Sequence, residues 1–346
     1  MDAREFGKTG LKLPPLVFGA TSLGNLFRAS SDEEKAAIVR AWTTSQLSPV
    51  VIDSAGKYGA GMSLEVIGRE LDALDVDPSS VVISNKLGWR RKPLHGDKPS
   101  FEPDAWFDLE YDAEQDISRD GIIRCWEEGE ELLGRYTAQL VSVHDPDDFL
   151  AAAKDEGERK ERYRQIVEAY GALAELKASG AVAAVGIGAK NWKTVELLLE
   201  DCDFDWVMLA NSWTILKHPP ELDAFLHDLL GRSIPVINSA LFHGGFLLGG
   251  ELFDYRLVDP SKAEDQEMLG FRQALNELCD EFETSVFRLG IEFGMAHPAV
   301  HSVALSSSRG GRVSGHVDVV EQVASSPLPE ALWQALQDRS LLMWRP

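Results

Sequence analysis

The chain has 346 residues, 44% of them hydrophobic, and carries 56 acidic against 34 basic side chains for a formal charge of −22. That balance repels phosphate backbones and anionic membrane surfaces, which argues against a nucleic-acid or membrane partner, and no apolar run approaches the ~18 residues of a membrane span. Cys125, Cys202 and Cys279 are widely spaced, with no C-x-x-C, so neither a disulfide framework nor a zinc site is indicated. The start, M-D-A-R-E-F-G-K, lacks an export signal, and the expected location is the cytoplasm.

Arg4 to Pro14 carries the turn signals G-K-T-G and L-P-P and reads as a β-hairpin capping one end of the main fold. Leu16 to Ala20 is the first core strand, and Ser31 followed by three acids starts a helix with Ile38, Val39 and Trp42 on one face. V-V-I from Val50 is a second strand that stops at Asp53. A glycine-containing turn then presents Tyr58, and a helix runs from Ser63 to Leu74. The third strand, Val81 to Leu87, ends around Lys86. From Gly88 to about Asp116 periodicity fails, and the stretch reads as a long structureless loop whose place after Lys86 suits a lid.

Helical pattern resumes at Ser118, and the fourth strand, Leu140 to His144, precedes a helix from Glu158 to Ser179 with Gly180 as a C-cap. Strands at Val182 to Gly188, Trp206 to Asn211, Ile234 to Ala240 and Val300 to Ser306 then alternate with helices at 191–200, 220–230, two pieces between Asp265 and Ala296, and 311–324. Pro327 to Met343 is a C-terminal helical extension. Eight strands, each followed by helix, predict a (β/α)8 TIM barrel, α/β in class, as one domain over 1–346.

In such a barrel the C-terminal strand ends carry the chemistry, so Asp53, Tyr58, Lys86 and His144 are expected at one cleft as a proton-handling set. A lysine ending an apolar strand needs a partner, and Asp53 on the adjacent strand is the natural one. A metal site from His144, Asp145 and Asp53 would compete with Lys86 for the carboxylate, and no metal is assigned. Gly59-x-Gly61 and Gly186-x-Gly188 do not complete G-x-G-x-x-G, and there is no P-loop or G-x-S-x-G. Trp89, Trp192 and Trp213 lie near strand ends, and one of them is expected to touch substrate.

The segments F-G-K-T-G-L-K-L, D-S-A-x-x-Y-G at Asp53, S-N-K-L-G around Lys86 and V-S-V-H-D around His144 occur in order along nearly the whole chain. Together they resemble the aldo-keto reductase superfamily, and L-G-N-L-F-R with H-D-P-D-D is similar to its sugar dehydrogenases, the L-fucose or D-threo-aldose 1-dehydrogenase and L-galactose dehydrogenase group. The resemblance implies a nicotinamide cofactor, NADP or NAD, and a tetrad of Asp53, Tyr58, Lys86 and His144. In it Tyr58 passes the proton, Lys86 lowers the phenol pKa, Asp53 holds Lys86, and His144 orients the substrate oxygen. Asn238 stands where the family often has an aromatic that stacks on nicotinamide. Ser239, Leu241 and Phe242 are implied at the pyrophosphate, and Ser306, Arg309, Arg312 and His316 at the adenosine phosphate. Lys190, Asn191, Asn211 and Ser212 are candidates for the nicotinamide amide.

The function implied is that of an NAD(P)-dependent oxidoreductase moving hydride to or from a small carbonyl or hydroxyl compound, an aldose above all. The alternative is a cofactor-binding regulatory or interaction subunit with the same fold. A metal-dependent barrel hydrolase would instead need a metal and no nicotinamide.

Overall fold

The structure is a computed structural model and describes residues 1–344; the last two positions of the expected 1–346 unit lie outside the described residues. Eight parallel strands, β1 (Leu16–Gly19), β2 (Val50–Ala55), β3 (Val81–Leu87), β4 (Ala138–His144), β5 (Ala184–Ala189), β6 (Trp206–Ala210), β7 (Val236–Ser239) and β8 (Val300–Ser306), form a closed barrel. Each pairs with its neighbours in sequence, and β8 closes the ring on β1 through Ser306 opposite Gly19. The strands are buried on both faces, which is why they read as continuous apolar runs.

Alternation along each strand decides what faces the axis. Val17, Val51, Val82, Leu140, Ala184, Met208 and Ile237 form an inner cluster, whereas Leu16, Val50, Ile52 and Ile83 pack outward among the helices. The ring of helices begins with Asp32–Thr43, fixed at its start by a reciprocal capping box between Ser31 and Glu34. Trp206 fills the barrel with no solvent exposure, and Gly186 makes room for it, since a Cβ there would lie 2.4 Å from the indole.

The N-terminal hairpin pairs Arg4–Glu5 with Lys12–Leu13 and drives Phe6 and Leu13 into the inner cluster, closing the barrel floor. The Arg4 guanidinium donates to the His301 carbonyl, and Ser302 Oγ donates to the Pro14 carbonyl at 2.8 Å, so both residues at the start of β8 tie the hairpin down. At the other end of the chain, Glu330–Asp338 is the helix of the C-terminal extension.

The stretch after β3 is not structureless. Trp89–Pro93 pairs antiparallel with Tyr111–Gln115, placing Arg90 opposite Glu114 and Lys92 opposite Asp112, with ion pairs at 2.5 and 3.3 Å. Charges on both strands hide the two-residue alternation from a hydrophobicity reading. Between the strands Phe101, Ala105 and Trp106 bury against Ala60 and Ala113. A short helix, Pro146–Ala151, also follows β4, where the sequence suggested no element.

Candidate active site

The parity that turns Val51, Val82 and Leu140 toward the axis also turns Asp53, Lys86 and His144 inward at the C-terminal strand ends, two or four residues further along. The Lys86 ammonium is paired with the Asp53 carboxylate, both buried, and Ser84 Oγ donates to Asp53 Oδ1 at 3.0 Å. Gly188 is the counterpart on β5: a Cβ there would lie 2.9 Å from Lys86 Cδ. Tyr58 stands in the turn after β2, where its N–H donates to the Ala55 carbonyl at 3.0 Å. The Lys86 ammonium lies 4.8 Å from the centre of the Tyr58 ring, which meets the His144 ring edge-on at 5.7 Å and stacks on Trp106 at 5.9 Å. These four residues therefore meet at one barrel mouth.

Electrostatics sets their protonation. Burial pushes the Tyr58 phenol well above its ordinary range, and Asp53 and Asp145 push the same way. That is opposite to the expected lowering, because Lys86 is compensated by Asp53 and the ring is withdrawn from water. Burial holds His144 far below the usual imidazole range, with Lys86, Lys57 and Lys190 adding to it, so the ring is neutral near pH 7. Its Nδ1 has no hydrogen-bond partner among the described residues. Burial alone would raise Asp145, but the Lys190 and Lys57 ammonium groups beside it keep the carboxyl ionised.

A cavity of about 450 Å³ opens beside this group, a size common for small-molecule sites. Lys190, Asn211, Ser239, Leu241, Phe242, Ser306, Arg312 and His316 line it, together with the four tetrad candidates. Asn191, Ser212 and Arg309 do not. Asn191 caps the helix Trp192–Leu198 by accepting from Lys193 N, Ser212 Oγ donates to the Lys190 and Ala210 carbonyls, and exposed Arg309 closes a turn on Ser307. Asn238 also faces away: Ile237 and Ser239 take the inward positions of β7, and Asn238 Nδ2 donates to the Trp213 and Gly294 carbonyls.

None of the three tryptophans lines the cavity. Trp89 packs on Phe101, Trp192 on Phe225, and fully buried Trp213 on Phe293. The aromatic lining is supplied instead by Phe27, Tyr255, Phe242 and Phe287. Sequence reasoning missed Phe27, Tyr255 and Lys57. The first two lie in loops without periodicity, whereas Lys57 had a signal, a charged residue inside the turn that presents Tyr58.

The lining fits a dinucleotide. Asn211 Oδ1 is a buried acceptor with no partner among the described residues, as a carboxamide N–H2 group requires. The helix Val313–Ser325 starts at the cavity with Arg312 as its N-cap residue, so a cation and the positive end of the helix dipole are available to a phosphate. A cation at Asp53 would displace Lys86. Among the described residues one trio has metal-ligand spacing, Asp223, His227 and His297, outside the cavity. There His297 Nδ1 accepts from Ala299 N at 3.1 Å, which leaves the proton of the neutral ring on Nε2, facing Asp223 Oδ1 at 3.4 Å.

Comparison with known proteins agrees with this geometry. The model of the Aldo/keto reductase family matches residues 15–332. Pyridoxal 4-dehydrogenase of Microbacterium luteolum is 26% identical over 99% of this chain and 98% of its own length. D-threo-aldose 1-dehydrogenase of a Pseudomonas species is 26% identical over 96% of each. Among solved structures, aldo-keto reductase AKR11C1 from Bacillus halodurans in its holo form superposes with a TM-score of 0.69 at 19% identity, covering 99% of this chain and 97% of that one. With its closed eight-stranded barrel and a family match across nearly its whole length, the chain belongs to the aldo/keto reductase family and is a nicotinamide-dependent oxidoreductase.

Proposed function

We propose that this enzyme interconverts the carbonyl and hydroxyl forms of a small aldose-like substrate, with Tyr58 passing the proton. The observation that carries this reading is the meeting of Tyr58, the Lys86–Asp53 pair and neutral His144 at one end of the cavity. A bound nicotinamide dinucleotide supplies or accepts the hydride. Tyr58, kept protonated by burial and by three carboxylates, donates its proton to a carbonyl oxygen in the reductive direction. Lys86, held in place by Asp53, stabilises the negative charge that then develops on the phenolic oxygen. His144, neutral, offers its one ring N–H to the same substrate oxygen and fixes its direction.

For the cofactor we assign Asn211 to the carboxamide, Ser239, Leu241 and Phe242 to the pyrophosphate side, and Ser306, Arg312 and His316 to the adenosine side. Lys190 is engaged by Asp145 at 3.1 Å and Asp148 at 2.6 Å, so its role is to shape the cavity wall.

The test is Tyr58→Phe, which removes the hydroxyl and keeps the ring stacked on Trp106. Turnover of aldehydes and aldoses should fall by roughly 10²-fold or more while cofactor affinity, followed by fluorescence, stays near the parent value. Near-parental turnover across a substrate panel would remove Tyr58 from the reaction.

A further inference from the structure

One lysine in the cavity has no part in the chemistry just described. Lys57 is 5% exposed and lines the cavity beside Tyr58, His144 and Asp145. A buried lysine is costly unless its charge is answered, and here three groups answer it. Glu102 accepts from its Nζ at 2.7 Å, Asp145 Oδ2 lies 3.6 Å away, and the Trp89 ring lies under the ammonium at 5.0 Å. Glu102 is itself held by the Trp106 indole N–H at 2.8 Å, so the ammonium is clamped rather than mobile.

The two carboxylates differ in a way that matters for substrate. Glu102 is at full hydrogen-bond distance and engaged through both oxygens. Asp145 is close enough to feel the charge but too far for a direct hydrogen bond. That gap leaves an ammonium proton and a carboxylate lone pair side by side on the cavity wall. A hydroxyl fits such a pair, because it accepts from the cation and donates to the anion at once; vicinal hydroxyls can divide the two roles. A carbon–hydrogen group in the same place keeps those existing ion pairs but adds no hydrogen bond to either member, so it forgoes what a hydroxyl gains. An anionic substrate gains little either, since Lys57, Lys86 and Lys190 each already face a carboxylate.

We infer that Lys57 and Asp145 form a hydroxyl-reading subsite that makes the enzyme select neutral polyhydroxylated aldehydes, those with hydroxyls next to the reacting carbon, over plain aldehydes of the same length. The inference rests on the oxidoreductase reading above. It makes Lys57 a specificity residue that touches the substrate away from the reacting atoms.

Glyceraldehyde and propanal test it, since they share a three-carbon aldehyde skeleton and differ in two hydroxyls. The parent enzyme should reduce glyceraldehyde with the higher kcat/KM. Lys57→Met keeps the stem and removes the ammonium. It should lower kcat/KM for glyceraldehyde by roughly ten- to a hundredfold, the worth of a charge-assisted hydrogen bond, mostly through KM, and change propanal less than about threefold. Lys57→Met combined with Glu102→Gln removes the stranded carboxylate and should show the same selective loss, which separates recognition from misfolding. If the parent treats the two aldehydes alike, or either variant loses both equally, the subsite does not exist and the oxidoreductase reading stands. A parent that reduces neither aldehyde and oxidises no aldose overturns the subsite together with the reading on which it rests.

Discussion

At the residue scale, the protonation of Tyr58 follows from a contest between nearby cations and four opposing influences. Burial, Asp53, Asp145 and Glu102 raise the phenol, Lys190 lowers it, and Asp53 offsets the Lys86 charge beside the ring. The acid form therefore persists across the neutral range and well into alkali. In the cofactor-free protein, the tyrosinate absorbance gained below pH ~10, the ordinary phenol value, should be the same for the parent and for Tyr58→Phe. A Tyr58-dependent absorbance step near neutrality would show that Lys86 wins after all. The same sign makes substrate oxidation, which needs the phenolate, accelerate as pH rises, whereas reduction is favoured below. Arg312 is the second case decided by magnitude. Its guanidinium is exposed, Arg309 of the same loop lies outside the cavity lining, and Arg28 is paired with Glu34 at 2.7 Å. A lone exposed cation facing a phosphate is worth about 0.2–1 kcal/mol, so NADP and NAD affinities should differ by less than about fivefold. Arg312→Ala should weaken NADP by no more than that and leave NAD within twofold, measured by titration of both dinucleotides. A parent preference for NADP of a hundredfold would contradict this. Asp53, Lys86 and His144 were legible because strand parity and strand ends are both written in the apolar pattern. Asn238 and Trp213 misled because, at a strand end, one residue of offset separates the cavity from the helix layer.

Among the elements, the excursion between β3 and the helix Arg119–Leu133 departs most from its sequence reading. Its two strands pair through opposite charges, and its buried residues are few and clustered in the part between them, so neither helical nor strand periodicity marks it. The barrel was legible for the converse reason: each core strand is a short apolar run that water-free packing on both faces requires. The excursion contributes no residue to the cavity lining but supports the site from behind. Trp106 backs the Tyr58 ring and holds Glu102, the Phe27 N–H donates to the Ala105 carbonyl at 2.7 Å, and Asn25 Nδ2 donates to the Phe107 carbonyl at 3.0 Å. Truncating Trp106 to alanine should therefore cost about 3 kcal/mol locally, the usual scale for deleting a buried aromatic, without unfolding the barrel. Limited proteolysis should begin to cut between residues 94 and 110 in Trp106→Ala, and KM for aldehydes should rise. Trp106→Phe, which keeps the stack, should show less of both. Unchanged proteolysis and KM would mean that the excursion is held elsewhere and does not support Tyr58.

On the scale of the whole molecule, the formal charge of −22 bears on cofactor capture, because a nicotinamide dinucleotide is itself an anion. Two electrostatic influences act on its approach and respond oppositely to salt. The global field repels the ligand over distances beyond a Debye length, about 8 Å at physiological ionic strength, and salt removes that repulsion first. The local attraction proposed for Arg312 and the positive end of the helix Val313–Ser325 would act within contact distance, where screening is weaker, and govern departure more than arrival. Association should therefore quicken as salt rises from low ionic strength toward the physiological range, while dissociation quickens modestly, so that Kd falls by less than association quickens. Stopped-flow fluorescence with NAD in a KCl series resolves the two rates. Dividing the effect by that of a neutral osmolyte at matched viscosity removes the contribution of diffusion. An association rate that falls steadily with salt would mean that the cavity mouth presents a positive potential strong enough to steer the anion against the net charge, and the acidic surface would then have no bearing on cofactor capture.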